Sequence, residues 1–330
     1  MSLMKAKRVV FKSRGVVEVE DFEVDSLQPS HLLVKTVCSL ISPGTETAFL
    51  MALPNTPGVF PQYPGYSNIG IVEEVGENVE DFKRGDLVAS ATGHSSYVLV
   101  SKDDVLKIPE GLQAEEATFF NLASIALQGT RKGFIELGSS VVVVGQGLVG
   151  LLATQFAALS GAFPLIAVDM IGSRLKLSTK LGADYVVNPT EVDAVEEVMR
   201  LTDGRGADVV IEATGNPNAI PVALNMAGRL GRVVILGSPR GLSTVNFYMP
   251  IHRKGLIVIG AHNNVRPRYE SLLHFWTDKD DMKLALKLMA RGKLKVRELI
   301  SLKIPVEKAP EAYRLIMEQK EGILGVLLYY

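Results

Sequence analysis

The segment VVVVGQGLVG, residues 141–150, limits the fold more than any other part of the chain. Four consecutive valines leave no polar face, so they fit a strand covered on both sides. Gly145, Gly147 and Gly150 follow in the G-x-G-x-x-G spacing. In such a turn the first glycine allows a tight reversal and the second lets main chain approach a pyrophosphate. The third lets a helix pack closely on the sheet. The helix that follows offers its free N–H groups and positive dipole end to phosphate. A glycine-rich turn that binds no nucleotide is the alternative.

The segment also opens a rhythm. Apolar strands are expected at Val141–Gly145, Phe163–Asp169, Asp184–Asn188, Asp208–Ala213, Gly231–Gly237 and Leu256–Gly260, with amphipathic stretches such as GLVGLLATQFAALSG and SRLKLSTKLG between most of them. Strand–helix alternation of this kind predicts a parallel, doubly wound sheet. Before residue 125 the pattern differs. KRVVF, GVVEVEDFEV, HLLVKTVC, SNIGIVEEVG, DLVAS and SYVLV are short, β-branched and broken by Gly or Pro, which fits a small barrel or sandwich. LQAEEATFFNLASIALQGTRKGF has helical spacing. After Gly260 a polar loop, two helices (DMKLALKLMARG and APEAYRLIMEQ) and two strands (ELISLKIP and GVLLYY) are expected.

At 330 residues the chain has room for two cores. A net charge of −1 gives no electrostatic case for nucleic acid or an anionic membrane, and a single cysteine excludes an internal disulfide and a four-cysteine zinc site. No apolar run approaches the roughly 20 residues of a membrane span. A cytoplasmic location is the expectation, and the first three residues are set aside as a cloning remnant before Met4.

The second central strand ends in LIAVDM. Asp169 stands where a carboxylate would accept from adenosine ribose hydroxyls and repel a 2′-phosphate, which favours NAD(H) over NADP(H). Arg174 could pair with a 2′-phosphate instead, and a solvated strand-end carboxylate is the plain alternative for Asp169.

With YPGYSNIGIVEEVGENVEDFKRGDLVA, EEATFFNLASIALQGTRKGF, VVVVGQGLVGLLATQFA and KLGADYVVNP in this order, the chain resembles the medium-chain dehydrogenase/reductase family. That family holds zinc-dependent alcohol, sorbitol and threonine dehydrogenases and zinc-free quinone reductases. The resemblance implies an α/β chain with a GroES-like β-barrel domain at 1–125, a Rossmann dinucleotide-binding domain at 126–262, and a segment at 263–330 returning to the first. It also implies cofactor contacts at Gly145, Gly147, Leu148, Val149, Gly150, Asp169, Arg174, Ala213, Thr214, Gly237, Ala261 and His262.

The departures lie at the metal positions. The family's cysteine, hydroxyl and acid match Ser42, Thr45 and Glu46 of the turn SLISPGTE. Its histidine and glutamate match Tyr66 and Ser67, and its third ligand matches Asn121. Serine, phenol and amide are poor ligands for zinc. The four-cysteine lobe is missing, and SATGHSSYVLV runs through its place. Cys38, four residues before Ser42, fits a small buried hydrophobe. SPGTE also resembles a subgroup that includes bacteriochlorophyllide dehydrogenases.

Without metal, hydrogen-bond donors must polarise a carbonyl and supply a proton. Tyr66 would be the donor, or merely fill the zinc space. Thr45 would relay the proton, or only stabilise the turn. Asn121 would hold a carbonyl or amide. His94, on a loop expected to reach a cleft between the domains, is a candidate proton carrier, and His262 follows the sixth strand where the family's backbone contacts the nicotinamide amide; the alternative for each is an ordinary loop histidine. Glu46 has a structural or arginine-pairing role in the family, and the matching arginine is Gly325 here. The arginines of NNVRPRY would meet an anionic substrate or water.

The expectation is a zinc-independent, NAD(H)-linked alcohol/carbonyl oxidoreductase. It would act on a small molecule as a homodimer or homotetramer through strand Leu256–Gly260, without nucleic acid or membrane partners. A C=C reductase acting on enones or quinones, and an NAD(H)-binding protein without catalysis, are the other two readings.

Overall fold

A computed structural model describes residues 4–319 and 321–330. The three residues before Met4 lie outside them. The chain forms two compact units, one built from residues up to Asn121 together with Lys283–Tyr330, the other from Leu122–Met282.

The second unit is the doubly wound fold. Its six strands run Tyr185–Val187, Leu165–Val168, Val141–Val144, Ala207–Glu212, Ala227–Ile235 and Ile257–Gly260 in spatial order, and every pairing is parallel. Numbered along the chain this order is 3-2-1-4-5-6, with the switch point between Val141–Val144 and Ala207–Glu212. The valine strand is buried throughout, as a sheet covered on both faces requires. Val142, Val144, Ile166, Val168, Val210 and Val233 share one core with Leu224 and Met226 of a covering helix.

The first unit carries a seven-stranded sheet. Ile300–Pro305 pairs in parallel with Gly325–Tyr329, which lies antiparallel to His31–Ile41. His31–Ile41 pairs further with Asn68–Val75 and Tyr97–Ser101, and Leu87–Ser90 and Val105–Lys107 complete the sheet. Met4–Ser13 and Val16–Val24 form a separate hairpin. Helix Ala309–Glu318 buries Ala309, Ala312, Tyr313 and Ile316, spaced three, one and three residues apart, so one face meets the core.

Two expectations are corrected. Pro43–Gly44 does not make a simple turn, because Pro43–Leu50 is a helix with Ser42 as its N-cap residue and Pro at the start. Proline's fixed φ and missing donor suit the first helical turn. Residues 263–282 belong with the central unit rather than with the returning segment. Arg266 binds Asp281 at 2.9 Å and Asp278 at 3.4 Å, and Arg131 binds Asp281 at 3.0 Å. These pairs fasten the loop and the start of helix Asp278–Ala290 to the central unit.

Candidate active site

The glycine turn divides its three glycines by cause. Gly145 has φ +89°, a backbone that side chains rarely adopt. A Cβ on Gly150 would stand 1.7 Å from the Gly145 carbonyl oxygen, so close packing of the helix forbids any larger residue. Gly147 is different. Its φ of −74° is open to any residue, and a Cβ there would meet nothing within 4 Å. The protein's own packing does not require this glycine, and the room beside it suits a pyrophosphate. Helix Leu148–Leu159 begins directly after it with no side-chain cap and no acid in its first turn. The N–H groups of that turn, from Leu148, Val149 and Gly150, are suited to an anion. The residues fit a dinucleotide, whose nicotinamide would supply or accept the hydride.

Asp169 follows the second strand. Its carboxylate accepts from the Gln146 N–H at 2.6 Å and the Ile171 N–H at 2.8 Å. One acidic side chain thus ties the glycine turn to the strand end beside it. Arg174 lies on the helix after Asp169. Burial lowers its pKa, and the charge of Asp169 opposes that shift. Across the switch point, Ala213 donates its N–H to the Val144 carbonyl at 2.8 Å. The Thr214 N–H and hydroxyl both donate to one oxygen of Glu212, while the other oxygen of this fully buried carboxyl has no partner. Burial raises the Glu212 pKa against these bonds. Glu212 is absent from the candidates read from the sequence. Its signal is a carboxylate at an otherwise apolar strand end. A Cβ on Gly237 would meet Gly215 N at 2.4 Å, so this glycine serves packing. Ala261 is buried and bonds Ile235, whereas the His262 side chain is exposed.

In the first unit, the Ser42 N–H donates to Glu46 Oε1 at 2.7 Å and the Glu46 N–H donates to the Ser42 carbonyl at 2.9 Å. The second bond is the first helical one, and the first lets the Glu46 carboxylate satisfy the N–H of the N-cap residue. Glu46 Oε2 bonds His94 Nε2 at 3.0 Å and accepts from the Tyr313 hydroxyl. His94 Nδ1 bonds Ser39 Oγ at 2.7 Å, and Ser39 Oγ meets the Tyr330 hydroxyl at 3.1 Å. Burial first, then Glu46, raises the Tyr313 pKa, and burial also raises that of Tyr330. Cys38, buried on the same strand as Ser39, has its thiol pushed up to about 12 by burial. It is the inert hydrophobe expected.

His94 therefore does not stand on an open loop. It is 1% exposed, held at both ring nitrogens, and packed against Gly65, where a Cβ would come within 2.9 Å of the ring. Glu46 pairs with His94 and Tyr313 rather than with an arginine. Gly325, at the expected arginine position, is a packing glycine whose Cβ would meet the Leu299 carbonyl at 2.7 Å. The arginines of NNVRPRY also separate. Arg266 is an internal ion-pair residue, 4% exposed in its side chain, and Arg268 is exposed.

Tyr66 and Asn121 come together, with Asn121 Nδ2 donating to the Tyr66 carbonyl at 2.7 Å. Asn121 Oδ1 is buried without a hydrogen-bond partner. Thr45 is half-buried in the first turn of its helix. Zinc takes thiolate, imidazole or carboxylate, and Ser42, Tyr66 and Asn121 offer none of these. Glu46 and His94 are committed to each other. Among the described residues, no group of three or more His, Cys, Asp or Glu side chains could hold a metal ion. The side chains at these positions do not fit zinc.

The chain is similar to known dehydrogenases in sequence and fold. Residues 149–278 match the family model described as zinc-binding dehydrogenase. L-threonine 3-dehydrogenase of Pyrococcus horikoshii is 31% identical over 299 residues, covering 81% of this chain and 82% of that protein. Sorbitol dehydrogenase of Bacillus subtilis is 24% identical over 359 residues, covering 98% and 97%. Among solved structures, a Sinorhizobium meliloti 1021 chain assigned as a zinc-binding dehydrogenase, with NADP bound, superposes with a TM-score of 0.85. It is 26% identical and covers 99% of this chain and 100% of that one.

Proposed function

Since the chain belongs to the medium-chain dehydrogenase/reductase family and is an alcohol-dehydrogenase-like oxidoreductase, we propose that it interconverts an alcohol and a carbonyl with NAD(H) and without zinc. The coarser statement, an NAD(P)-dependent alcohol- or polyol-type oxidoreductase of small molecules, follows from its relatives. The finer one rests on the chemistry of Ser42, Tyr66 and Asn121, which the resemblance matches to the zinc positions and which bear a hydroxyl, a phenol and an amide.

In this reading Tyr66 donates a hydrogen bond to the substrate oxygen as negative charge develops there, which is the task zinc performs elsewhere. Thr45, in the first turn of the helix fixed by Glu46, passes the proton onward. Asn121 offers its unpartnered Oδ1 to a substrate hydroxyl or amide N–H. Asp169 selects NAD(H), because its side chain, fixed by two main-chain N–H groups at the end of the second strand, would meet ribose hydroxyls and repel a 2′-phosphate.

The test uses NADH carrying deuterium at the transferred position, offered to saturated ketones, ketoses and enones. Label on an oxygen-bearing carbon is expected. Label on the carbon β to a carbonyl would overturn the alcohol/carbonyl reading. Binding of NADH without transfer to any substrate would overturn the enzymatic one. Elemental analysis of the purified protein is expected to find no stoichiometric zinc, and one zinc per chain would overturn the metal-free mechanism.

A further inference from the structure

Lys132 is a buried ammonium held by carbonyls. It is 3% exposed, and its Nζ donates to the Gly260 carbonyl at 2.8 Å and the Val265 carbonyl at 3.3 Å. Four residues earlier on the same helix, Gln128 Nε2 donates to the His262 carbonyl at 3.1 Å and the Val265 carbonyl at 2.9 Å. The Val265 N–H closes the turn onto the His262 carbonyl at 2.9 Å. Two side chains one helical turn apart thus grip three carbonyls of one short segment. Burying an ammonium is costly. Burial and the like charge of Arg266 both lower its pKa. A neutral residue would suffice to fill this space, so the charge needs another reason.

The segment's place in the sheet supplies one. Gly260–Val265 leaves the carboxyl end of the sixth strand, and ligands of open parallel sheets bind outside the carboxyl ends of the strands. Asp169 follows the second strand, on one side of the switch point. A dinucleotide with its pyrophosphate at Gly147 and one ribose at Asp169 extends its other half over the fourth, fifth and sixth strands. The turn gripped by Lys132 and Gln128 lies on that side. Within it, Asn263 Oδ1 is buried without a partner.

We propose that Lys132 and Gln128 are positioning residues for the nicotinamide half of the cofactor, fixing the Gly260–Val265 turn through its carbonyls so that its remaining main-chain groups meet the carboxamide. The inference rests on the cofactor reading above. Their charge-assisted and neutral hydrogen bonds fix the positions of the Gly260, His262 and Val265 carbonyls.

The experiment measures dissociation constants for NADH and for ADP-ribose, which lacks the nicotinamide, with the wild type and the variants Lys132→Met and Gln128→Ala. Both variants are expected to weaken NADH about tenfold or more while ADP-ribose stays within about twofold. Equal weakening of both ligands, or unchanged NADH affinity, would overturn the proposal. Gln128→Ala carries the test if Lys132→Met does not fold. A wild type that binds neither ligand would overturn the cofactor reading and this inference with it. A wild type that binds both, with variants that fail to separate them, would overturn the inference alone.

Discussion

Glu46 and His94 are 48 residues apart in sequence and meet at 3.0 Å, both buried, with Tyr313 closing on the same carboxylate oxygen from 267 residues away. The pair holds the helix start that bears Ser42 and Thr45. Removing His94 takes one buried hydrogen bond from Glu46 Oε2 and one from Ser39 Oγ, at a cost of about 1–3 kcal/mol. His94→Ala is therefore expected to lower the melting temperature by several degrees. A variant that melts with the wild type would show that the pair is not a support of this unit.

Tyr313 makes a pH-dependent contribution. Its pKa is raised well above the ordinary value of 10.0, so the folded chain holds a proton that the unfolded chain releases at about pH 10. Stability from this group is full below that pH and is lost as pH rises above it. Tyr313→Phe should be less stable at neutral pH by about 1–3 kcal/mol, because Glu46 loses a donor. Its stability should also fall less steeply above pH 10. Parallel alkaline profiles for the two proteins, followed by circular dichroism, would contradict this.

Glu212 works with the opposite consequence at neutral pH. Its folded pKa is raised by burial, so its stability contribution is present below the unfolded value of 4.5 and is lost as pH rises through the raised folded value. Glu212→Gln can still accept from Thr214 and carries no charge. At pH 7 it should melt at or above the wild-type temperature, and the advantage should vanish toward pH 4. A large loss at pH 7 would show that the ionised carboxylate is needed.

Gly147→Ala and Gly150→Ala should separate binding from folding. The first adds a methyl where no atom lies within 4 Å, so the melting temperature should hold while NADH affinity falls at least about tenfold. The second forces a Cβ to 1.7 Å from a carbonyl oxygen and should destabilise by more than about 3 kcal/mol. Thermal melts and NADH titrations of both variants decide it, and a destabilised Gly147→Ala would remove the argument for a cradle.

Asp169→Ser removes a carboxylate that would meet the ribose and repel a 2′-phosphate. NADH should weaken more than NADPH, and the preference should move about tenfold or more toward NADPH. An unchanged ratio of the two dissociation constants would count against the ribose role.

A second copy is expected to pair along the outer edge of Ile257–Gly260. This strand ends the six-stranded sheet, and Ile257 and Val258 are 45% and 44% exposed. Light scattering should give at least twice the 35.8 kDa chain mass, and Val258→Lys should lower it. A wild-type mass of one chain would dismiss the pairing.

The central sheet was legible because its signals are local. Val141–Val144 and Gly145–Gly150 state strand, turn and helix within ten residues, and Asp169 follows one strand later. The helix Pro43–Leu50 was also encoded locally, in Ser42 before a proline and an acid in the first turn, but Pro43–Gly44 reads equally well as a turn. The Glu46 network was not legible. Its members are neighbours only after residues 39, 46, 94, 313 and 330 converge, and no periodicity reports such a meeting. Lys132 lies in a stretch legible only as helical, and nothing in sequence shows that its ammonium turns inward to carbonyls.

The strand Gly325–Tyr329 lies between Ile300–Pro305 and His31–Ile41, with Val326, Leu327 and Leu328 fully buried. On the ribosome, His31–Ile41 therefore waits almost the length of the chain for this neighbour, while Leu122–Met282 is contiguous and can close its own core first. The nascent first unit must pass through a stage with an apolar sheet edge open to other chains. Deleting residues 325–330 would leave that edge open for good, so such deletions should be lost to aggregation rather than to failed catalysis.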